Sequence, residues 1–234
     1  ELADMHLAIA PGSDVALFDG LLSFLDQTGA IDRAYINAHT NGFDAALGVA
    51  RWKGHVCLRS GKAVYNQSLV AMFINDMGEQ ATEKMVGSWI ANLAAEPFSN
   101  DTLMLKAIAA GQCDVGITNS YYLGKLQHEQ PDLPVQIFWA DQAGKGTHVN
   151  ISGGGVTKHA KNREEAVRFL EWLASPATQQ RFAAVNFEFP ANAGVDPLPI
   201  VAAWGPFKPN EVNVGLIGKA QPAAVMLIDR TGWR

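Results

Sequence analysis

Three tyrosines are the residues whose type and spacing could do chemistry in this sequence. Tyr121 and Tyr122 follow each other in CDVGITNSYY, and Tyr65 lies earlier in the chain, in GKAVYNQ. A phenolate oxygen is a hard anionic donor, so three tyrosines at one cleft suit a hard trivalent cation such as Fe³⁺ better than a soft metal ion. The sequence therefore favours a ferric site, provided that the fold brings the three side chains together.

The two cysteines repeat the spacing of the tyrosines. Cys57 lies eight residues before Tyr65, and Cys113 lies eight residues before Tyr121, so the two cysteines are as far apart in the sequence as these two tyrosines. If two equivalent strands lie side by side, Cys57 is level with Cys113 and Tyr65 with Tyr121. The offset therefore predicts a contact between the cysteines, with two buried free thiols as the alternative. A disulfide would close a long loop, stabilise the fold by about 4 kcal/mol in the chain-entropy model, and imply an oxidising compartment such as the periplasm.

The elements that must position these residues alternate between strand and helix patterns from Trp52 onward. GHVCLR and CDVGIT are strand candidates, and the segments NQSLVAMFIND, TEKMVGSWIANL and TLMLKAIAA are predicted helices, the last ending at Gly111. Strands separated by helices imply parallel α/β structure with right-handed crossovers. Ligands of such sheets bind at the carboxyl ends of the strands. All three tyrosines lie just past those ends.

Two strands and three helices are expected in the second half of the chain. The segment PVQIFWADQAGKGTHVNISGGGV predicts two strands around a Gly-rich loop that could act as a hinge. A phosphate-binding loop is the alternative, although the Lys-Ser/Thr ending of a P-loop is missing. ATQQRFAAVN and GKAQPAAVMLIDRTGW are predicted helices. Another helix after Asn162 has an apolar stripe typical of scaffold packing, formed by Ala166, Phe169, Leu170 and Leu173.

Composition limits the class of function. A chain of 234 residues fits one large or two small domains. The formal net charge of −5 gives no broad basic face for nucleic acid or an anionic membrane. No apolar run approaches the roughly 20 residues that cross a bilayer, and the chain opens at Glu1 without a signal-like stretch. We expect a soluble monomer that has been trimmed or is a fragment and that has no nucleic-acid partner.

Six segments between Trp52 and Arg234 occur in an order and spacing typical of one family. They are WKGHVCLRSGKAVYNQSLVAMF, NLAAEPFSNDT, AAGQCDVGITNSYYLGKL, FWADQAGKGTHVNISGGGV, FLEWLASP and FEFPANAGV. Together they resemble the ferric-ion-binding periplasmic proteins of ABC iron transporters. The resemblance implies an α/β fold of the type II periplasmic solute-binding kind, with two lobes. It also implies a periplasmic location, an inner-membrane ABC permease as partner, and no enzymatic activity.

Residues 1–51 resemble a different family. ELADMHLAIAPGSDVALFDGLLSFLDQTGAIDRAYINAHTNGFDAAL is similar to an internal segment of molybdopterin-dependent oxidoreductases, particularly assimilatory nitrate reductases. It carries neither the iron–sulfur cysteines nor the molybdenum ligand of that family. In the iron-binding family this position holds a longer part of the first lobe, which usually contributes a further iron ligand. We therefore expect an incomplete first lobe and three parts: residues 1–51, a ligand-binding lobe with the tyrosines at 52–149, and a hinge return with the C-terminal helical part of the other lobe at 150–234.

The resemblance assigns Tyr65, Tyr121 and Tyr122 as iron ligands. Three phenolates leave a six-coordinate ion unsaturated, so a small synergistic anion such as carbonate or phosphate is a candidate partner of the iron. Arg59 and Ser60, at the strand end before Tyr65, could hold it through the guanidinium fork and the dipole of the following helix. Asn119 matches an anion-binding Asn of the family and could orient the tyrosine pair.

Other interpretations stay open at this point. Arg59 could equally form an ordinary salt bridge. His148, beside the Gly-rich loop, could reach a cleft, but a structural role is the expectation for it. The whole chain could instead be a fragment of a molybdopterin-dependent nitrate reductase, or a solute-binding protein for a small anion or organic ligand.

Overall fold

The structure, a computed structural model, describes residues 47–151 and 153–234. All of these belong to the second of two units into which the chain divides, Asn41–Arg234. The expected oxidoreductase-like part, residues 1–51, lies outside the described residues except for its last five positions. None of the described helices is both long enough and apolar enough to cross a membrane.

Two short parallel strands form the centre of the fold. β1 (Val56–Leu58) pairs with β2 (Val115–Ile117), and Cys57 lies opposite Gly116. A Cβ atom at Gly116 would lie 2.7 Å from the carbonyl oxygen of Cys57. Glycine is therefore required for the strands to approach this closely.

Helices connect and follow these strands. A 3-10 turn at Ala50–Trp52 precedes β1. The α-helices of the described residues are α1 (Val64–Met77), α2 (Glu79–Ala91), α3 (Asp101–Ala109), α4 (Ser120–Glu129), α5 (Arg163–Ala174), α6 (Pro176–Asn186), α7 (Pro199–Ala202) and α8 (Val214–Arg230). The order β1-α1-α2-α3-β2-α4 confirms the predicted alternation, and the sheet is parallel as expected.

The main hydrophobic core lies between β1, α1, α2 and α8. Trp89 of α2 and Trp233, just after α8, are both almost fully buried, and their rings meet edge to face with centroids 6.2 Å apart. Gly61 lies in the turn between β1 and α1, where a Cβ atom would stand 2.6 Å from the Ile228 Cγ2 atom. The turn that leads into α1 therefore passes directly against the end of α8.

The predicted disulfide is confirmed, but the predicted register is not. Cys57 and Cys113 are bonded, with their Cα atoms 5.9 Å apart. In the strand pairing, however, Cys57 lies opposite Gly116, three residues beyond Cys113. Cys113 is not in β2 but in the turn before it, which Gly111 opens with a left-handed φ of 74°. The disulfide therefore joins a strand to a turn.

Two expectations for the second half of the chain are wrong. The two strands predicted around the Gly-rich loop are absent from its described residues, where the one β contact is an isolated bridge from Thr147 to Pro209. Side chains bind the backbone there instead, because both Thr147 and Gln142 donate to the carbonyl oxygen of Ala140. The apolar stripe predicted as scaffold lies on α5, which has no buried residue, and its Phe169 is 57% exposed.

The disulfide should carry a measurable part of the stability. We expect the double substitution Cys57→Ala and Cys113→Ala to lower the free energy of unfolding by about 2–4 kcal/mol, because the 56-residue separation leaves a long unconstrained loop in the unfolded chain. Urea unfolding at neutral pH measures this. Reducing agent should lower the stability of the wild-type protein by a similar amount and leave the variant unchanged. Equal stability of the variant and the oxidised wild type would contradict the prediction.

Candidate metal centre

The three tyrosines lie in the first turns of two helices that follow the paired strands. Tyr65 is the second residue of α1, and Tyr121 and Tyr122 are the second and third residues of α4. Because parallel strands end at the same edge of a sheet, both helices begin at that edge. Helix N-termini carry partial positive charge, which favours anionic groups such as phenolates.

The structure brings the three phenol side chains together. The hydroxyl oxygens of Tyr65 and Tyr122 are 3.2 Å apart, within hydrogen-bond distance. The rings of Tyr121 and Tyr122 are in contact and tilted by 36° to each other, with centroids 4.3 Å apart. The expected proximity of Tyr65 to the tyrosine pair is therefore present, but the hydroxyl that Tyr65 meets is that of Tyr122 rather than Tyr121.

The three hydroxyls do not ionise with equal ease. Burial and a hydrogen bond with Tyr122 raise the pKa of Tyr65 and of Tyr121 above the ordinary value. Burial also acts to raise the pKa of Tyr122, but hydrogen bonds from Tyr121, Tyr65 and Arg59 outweigh it and lower that pKa. Tyr122 is therefore the member of the cluster that most readily becomes a phenolate.

Arg59 lies directly against this cluster. It follows β1, donates a hydrogen bond from Nη1 to the Tyr65 hydroxyl, and places its guanidinium carbon 4.8 Å from the centre of the Tyr65 ring. The same Nη1 atom pairs with the carboxylate of Asp101. Burial alone would lower the pKa of Arg59, but the hydrogen bond and the charge of Asp101 raise it. Arg59 is therefore a permanent cation beside the phenol oxygens.

The other predicted site residues have different partners. The Ser60 hydroxyl accepts a hydrogen bond from the backbone N–H of Lys62 at 3.3 Å. Asn119 precedes α4, and its Oδ1 accepts from the Nδ2 group of Asn150 at 2.9 Å. Both residues stay at the edge where the tyrosine helices begin, Ser60 next to Arg59 and Asn119 two residues before Tyr121.

Sequence reasoning missed Asp101 and Thr118. Asp101 is the first residue of α3 and is only 2% exposed, and it joins Arg59 to the Thr118 hydroxyl, which donates to Oδ1 at 3.0 Å. In the sequence, Asp101 looks like an ordinary acidic residue at a helix start, where the helix dipole favours it. What distinguishes Asp101 is its burial, which arises from tertiary packing and therefore cannot be predicted from the local sequence pattern.

The chemistry of this cluster suits a hard, highly charged cation. Within the described residues, no group of three or more His, Cys, Asp and Glu side chains is placed to hold a metal ion. The phenol oxygens of Tyr65 and Tyr122, with Tyr121 beside them, are the grouped oxygen donors. Phenolates are hard donors, so this set favours a trivalent ion such as Fe³⁺ over a soft one.

Comparison with known proteins identifies a family. The sequence profile of bacterial extracellular solute-binding proteins matches residues 6–209. Iron uptake protein A1 of Synechocystis sp. is 40% identical over 190 residues, which are 79% of this chain and 53% of that protein. The solved structure of Trichodesmium FutA (IdiA) in complex with iron and citrate ligands superimposes with a TM-score of 0.78 and 42% identity, covering 82% of this chain and 62% of that one. The fold is therefore of the type II solute-binding kind, as expected.

Two facts limit how far these similarities extend. The chain spans about half the length of the curated relatives that it matches. A 45-residue stretch, 19% of this chain, is 56% identical to nitrate reductase of Shewanella frigidimarina but covers only 5% of that enzyme. The second resemblance is therefore a short partial match.

His148, which packs beside α1, generates a prediction for stability. Its Nε2 atom lies 3.3 Å from the Ser68 hydroxyl, and burial, partly offset by a hydrogen bond with Asn150, lowers its pKa from 6.5 to about 4. The unfolded chain therefore binds this proton before the folded one does. The stability that neutral His148 contributes is complete above about pH 6.5 and is lost as the pH falls towards about 4, by up to about 3 kcal/mol.

Urea unfolding of the wild type and of His148→Gln at about pH 7 and about pH 4.5 tests this prediction. We expect the variant to lose clearly less stability than the wild type on acidification, because it lacks the titrating group. His55→Gln is the matched control, since His55 is half exposed and pairs with Asp114 at the surface. Identical acid sensitivity of the wild type and His148→Gln would show that this histidine does not carry the effect.

Proposed function

Because the chain belongs to the family of bacterial extracellular solute-binding proteins, we propose that it binds Fe³⁺ through the phenolates of Tyr65, Tyr121 and Tyr122. The observation that carries the proposal is the convergence of these side chains, with the Tyr65 and Tyr122 hydroxyl oxygens 3.2 Å apart. Oxygens at this separation can contact one ion together. The names of the relatives, an iron uptake protein and a structure with iron and citrate ligands, support the same cargo.

Binding requires that the tyrosines lose their protons. A free tyrosine has a pKa of about 10, so at neutral pH the charge of the metal ion must displace each proton. Tyr122 is the natural first ligand, because its hydrogen bonds already lower its pKa. Iron binding therefore releases protons, and the affinity falls as the pH falls. Reduction to Fe²⁺ also weakens a site made of hard anionic donors.

Three phenolates fill three of the six coordination positions of Fe³⁺. We propose that a small anion such as carbonate or phosphate fills some of the others. Arg59 is the cation proposed to hold this anion, although its Nη1 atom is already shared between Tyr65 and Asp101. Ser60 and Asn119 flank the same edge and remain proposed anion contacts. In the alternative function, a solute-binding protein for a small anion, Arg59 would bind the anion and the tyrosines would hold no metal ion.

The family supports a role in transport. We propose a periplasmic binding component that captures ferric ion and delivers it to an ABC permease in the inner membrane. No bond is made or broken in the cargo, so the protein is not an enzyme in this proposal. Hinged closure between lobes would be the working motion.

The proposed organisation retains three parts. Residues 52–149 are proposed as the ligand-binding lobe, and 150–234 as the hinge return and the C-terminal part of the other lobe. Within the last part, α8 packs into the same hydrophobic core as β1, α1 and α2. Residues 1–51 form the segment similar to nitrate reductase. The two cysteines of the chain are Cys57 and Cys113, and both are in the disulfide. Neither cysteine is therefore free to bind an iron–sulfur cluster of the kind found in the oxidoreductases that residues 1–51 resemble.

Visible absorption tests the proposed function. Mixing the iron-free full chain with ferric citrate should produce a tyrosinate-to-iron charge-transfer band. The band should fade as the pH is lowered, because protons compete with Fe³⁺ for the phenolates. The double substitution Tyr121→Phe and Tyr122→Phe should abolish it, since phenylalanine keeps the ring but has no oxygen.

The fourth tyrosine of the chain, Tyr35, provides the matched control. We expect Tyr35→Phe to keep the band. Metal analysis of the purified protein should find iron in the wild type and little in the double variant. A wild-type protein that develops no band at any pH would rule out ferric binding by these tyrosines.

A further inference from the structure

A buried carboxylate lies immediately behind the tyrosine cluster. Asp101 is 2% exposed, and both of its oxygens are occupied: Oδ2 pairs with Arg59 and Oδ1 accepts from the Thr118 hydroxyl at 3.0 Å. Charged residues are seldom buried unless they are paired. The position of Asp101 is therefore fixed on both sides by specific partners.

Arg59 is held from two directions, and only one of them depends on Asp101. Its backbone carbonyl accepts a hydrogen bond from the Trp233 indole N–H at 2.7 Å, which anchors the main chain. Its guanidinium is held by Asp101 and in turn contacts the Tyr65 hydroxyl and ring. Without the carboxylate, the main chain of Arg59 would stay in place, while the guanidinium would lose its charged partner and keep only its contacts with Tyr65.

The charges give a second reason for this carboxylate. Before any synergistic anion binds, three phenolates and one Fe³⁺ sum to zero, so an unpaired Arg59 would leave a net positive charge beside the trivalent cation as it enters. The carboxylate of Asp101 offsets that charge, and this matters because the low dielectric of a partly buried site strengthens electrostatic interactions. Arg59 can then donate to phenol oxygens without opposing the entry of the metal ion.

We propose that Asp101 is a positioning residue for iron binding, which holds Arg59 against the hydroxyl and ring of Tyr65 and compensates its charge. The inference rests on the proposed ferric function of the tyrosines. Asp101 acts through Arg59 and does not itself coordinate the metal ion. Thr118 supports it by fixing the second carboxylate oxygen.

Substitution Asp101→Asn in the full chain tests this, because it keeps the size of the side chain and removes the charge. We expect ferric affinity, measured by competition with citrate, to fall at least about tenfold, and the maximum of the charge-transfer band to shift. Asp114→Asn is the matched control, since it makes the same charge change in an exposed pair with His55. It should bind iron within about twofold of the wild type.

A double-mutant cycle separates positioning from a merely structural role. If Asp101 acts through Arg59, Asp101→Asn should cause little further loss of affinity in an Arg59→Gln background. If Asp101→Asn lowered the ferric affinity by the same factor in the Arg59→Gln background as in the wild type, the proposal would be overturned. An unchanged affinity and spectrum in Asp101→Asn, in a wild type that shows the band, would also overturn it while leaving ferric binding intact.

Two further outcomes are distinguishable from these. Absence of the band in the wild type would remove the proposed function and this inference together. If thermal melting shows that Asp101→Asn does not fold, Thr118→Val replaces it, because it keeps both charges and removes one hydrogen bond to Asp101. We expect a band shift in the same direction and a smaller loss of affinity from Thr118→Val, and an unchanged spectrum would contradict the proposal.

Discussion

The parallel pairing of β1 with β2 determines where every residue of the candidate site lies. Each strand has three residues, so their backbone hydrogen bonds alone give a weak and poorly specified pairing. The close approach at Gly116 and the Cys57–Cys113 disulfide add constraints that a longer sheet would not need. A slip of one residue would move one tyrosine helix by about 3.3 Å relative to the other. That shift is as large as the 3.2 Å contact between the Tyr65 and Tyr122 hydroxyls.

The proximity of the tyrosines could be predicted from the sequence because it depends on short segments: each strand and the residues that directly follow it. The tyrosines follow strand patterns directly, and a parallel sheet places the ends of its strands at one edge. The equal spacing of cysteines and tyrosines predicted that Cys57 contacts Cys113 and that Tyr65 lies near the tyrosine pair. This spacing does not equal the register of the strands, since Cys57 pairs with Gly116 rather than with Cys113. The disulfide forms nevertheless, because a residue in the turn before β2 can reach the neighbouring strand. The partner of Tyr65 was mistaken, since residues in a helix turn by about 100° each and adjacent tyrosines face different directions.

Other features depended on tertiary packing and could not be predicted from local patterns. Asp101 resembles any acidic residue at the start of a helix, and its role follows from burial against Arg59 and Thr118. The expected strands near Thr147 failed because side chains of Thr147 and Gln142 occupy backbone carbonyls there. The helical period of α5 was correct, whereas the burial of its apolar stripe was not. Periodicity shows which face of a helix is apolar and does not show what covers it.

The electrostatics of the cluster connect the fold to its proposed work. Hydrogen bonds from its neighbours make Tyr122 the easiest of the three to ionise, while burial keeps Tyr65 and Tyr121 protonated. A site with this graded set of phenols has little charge before the cargo arrives, so it avoids the repulsion of three neighbouring phenolates. In the proposed function, the metal ion then supplies the charge that removes the remaining protons. Because the loss of each proton is an equilibrium, the proposed site would take up iron near neutral pH and release it when protons or a reductant are supplied.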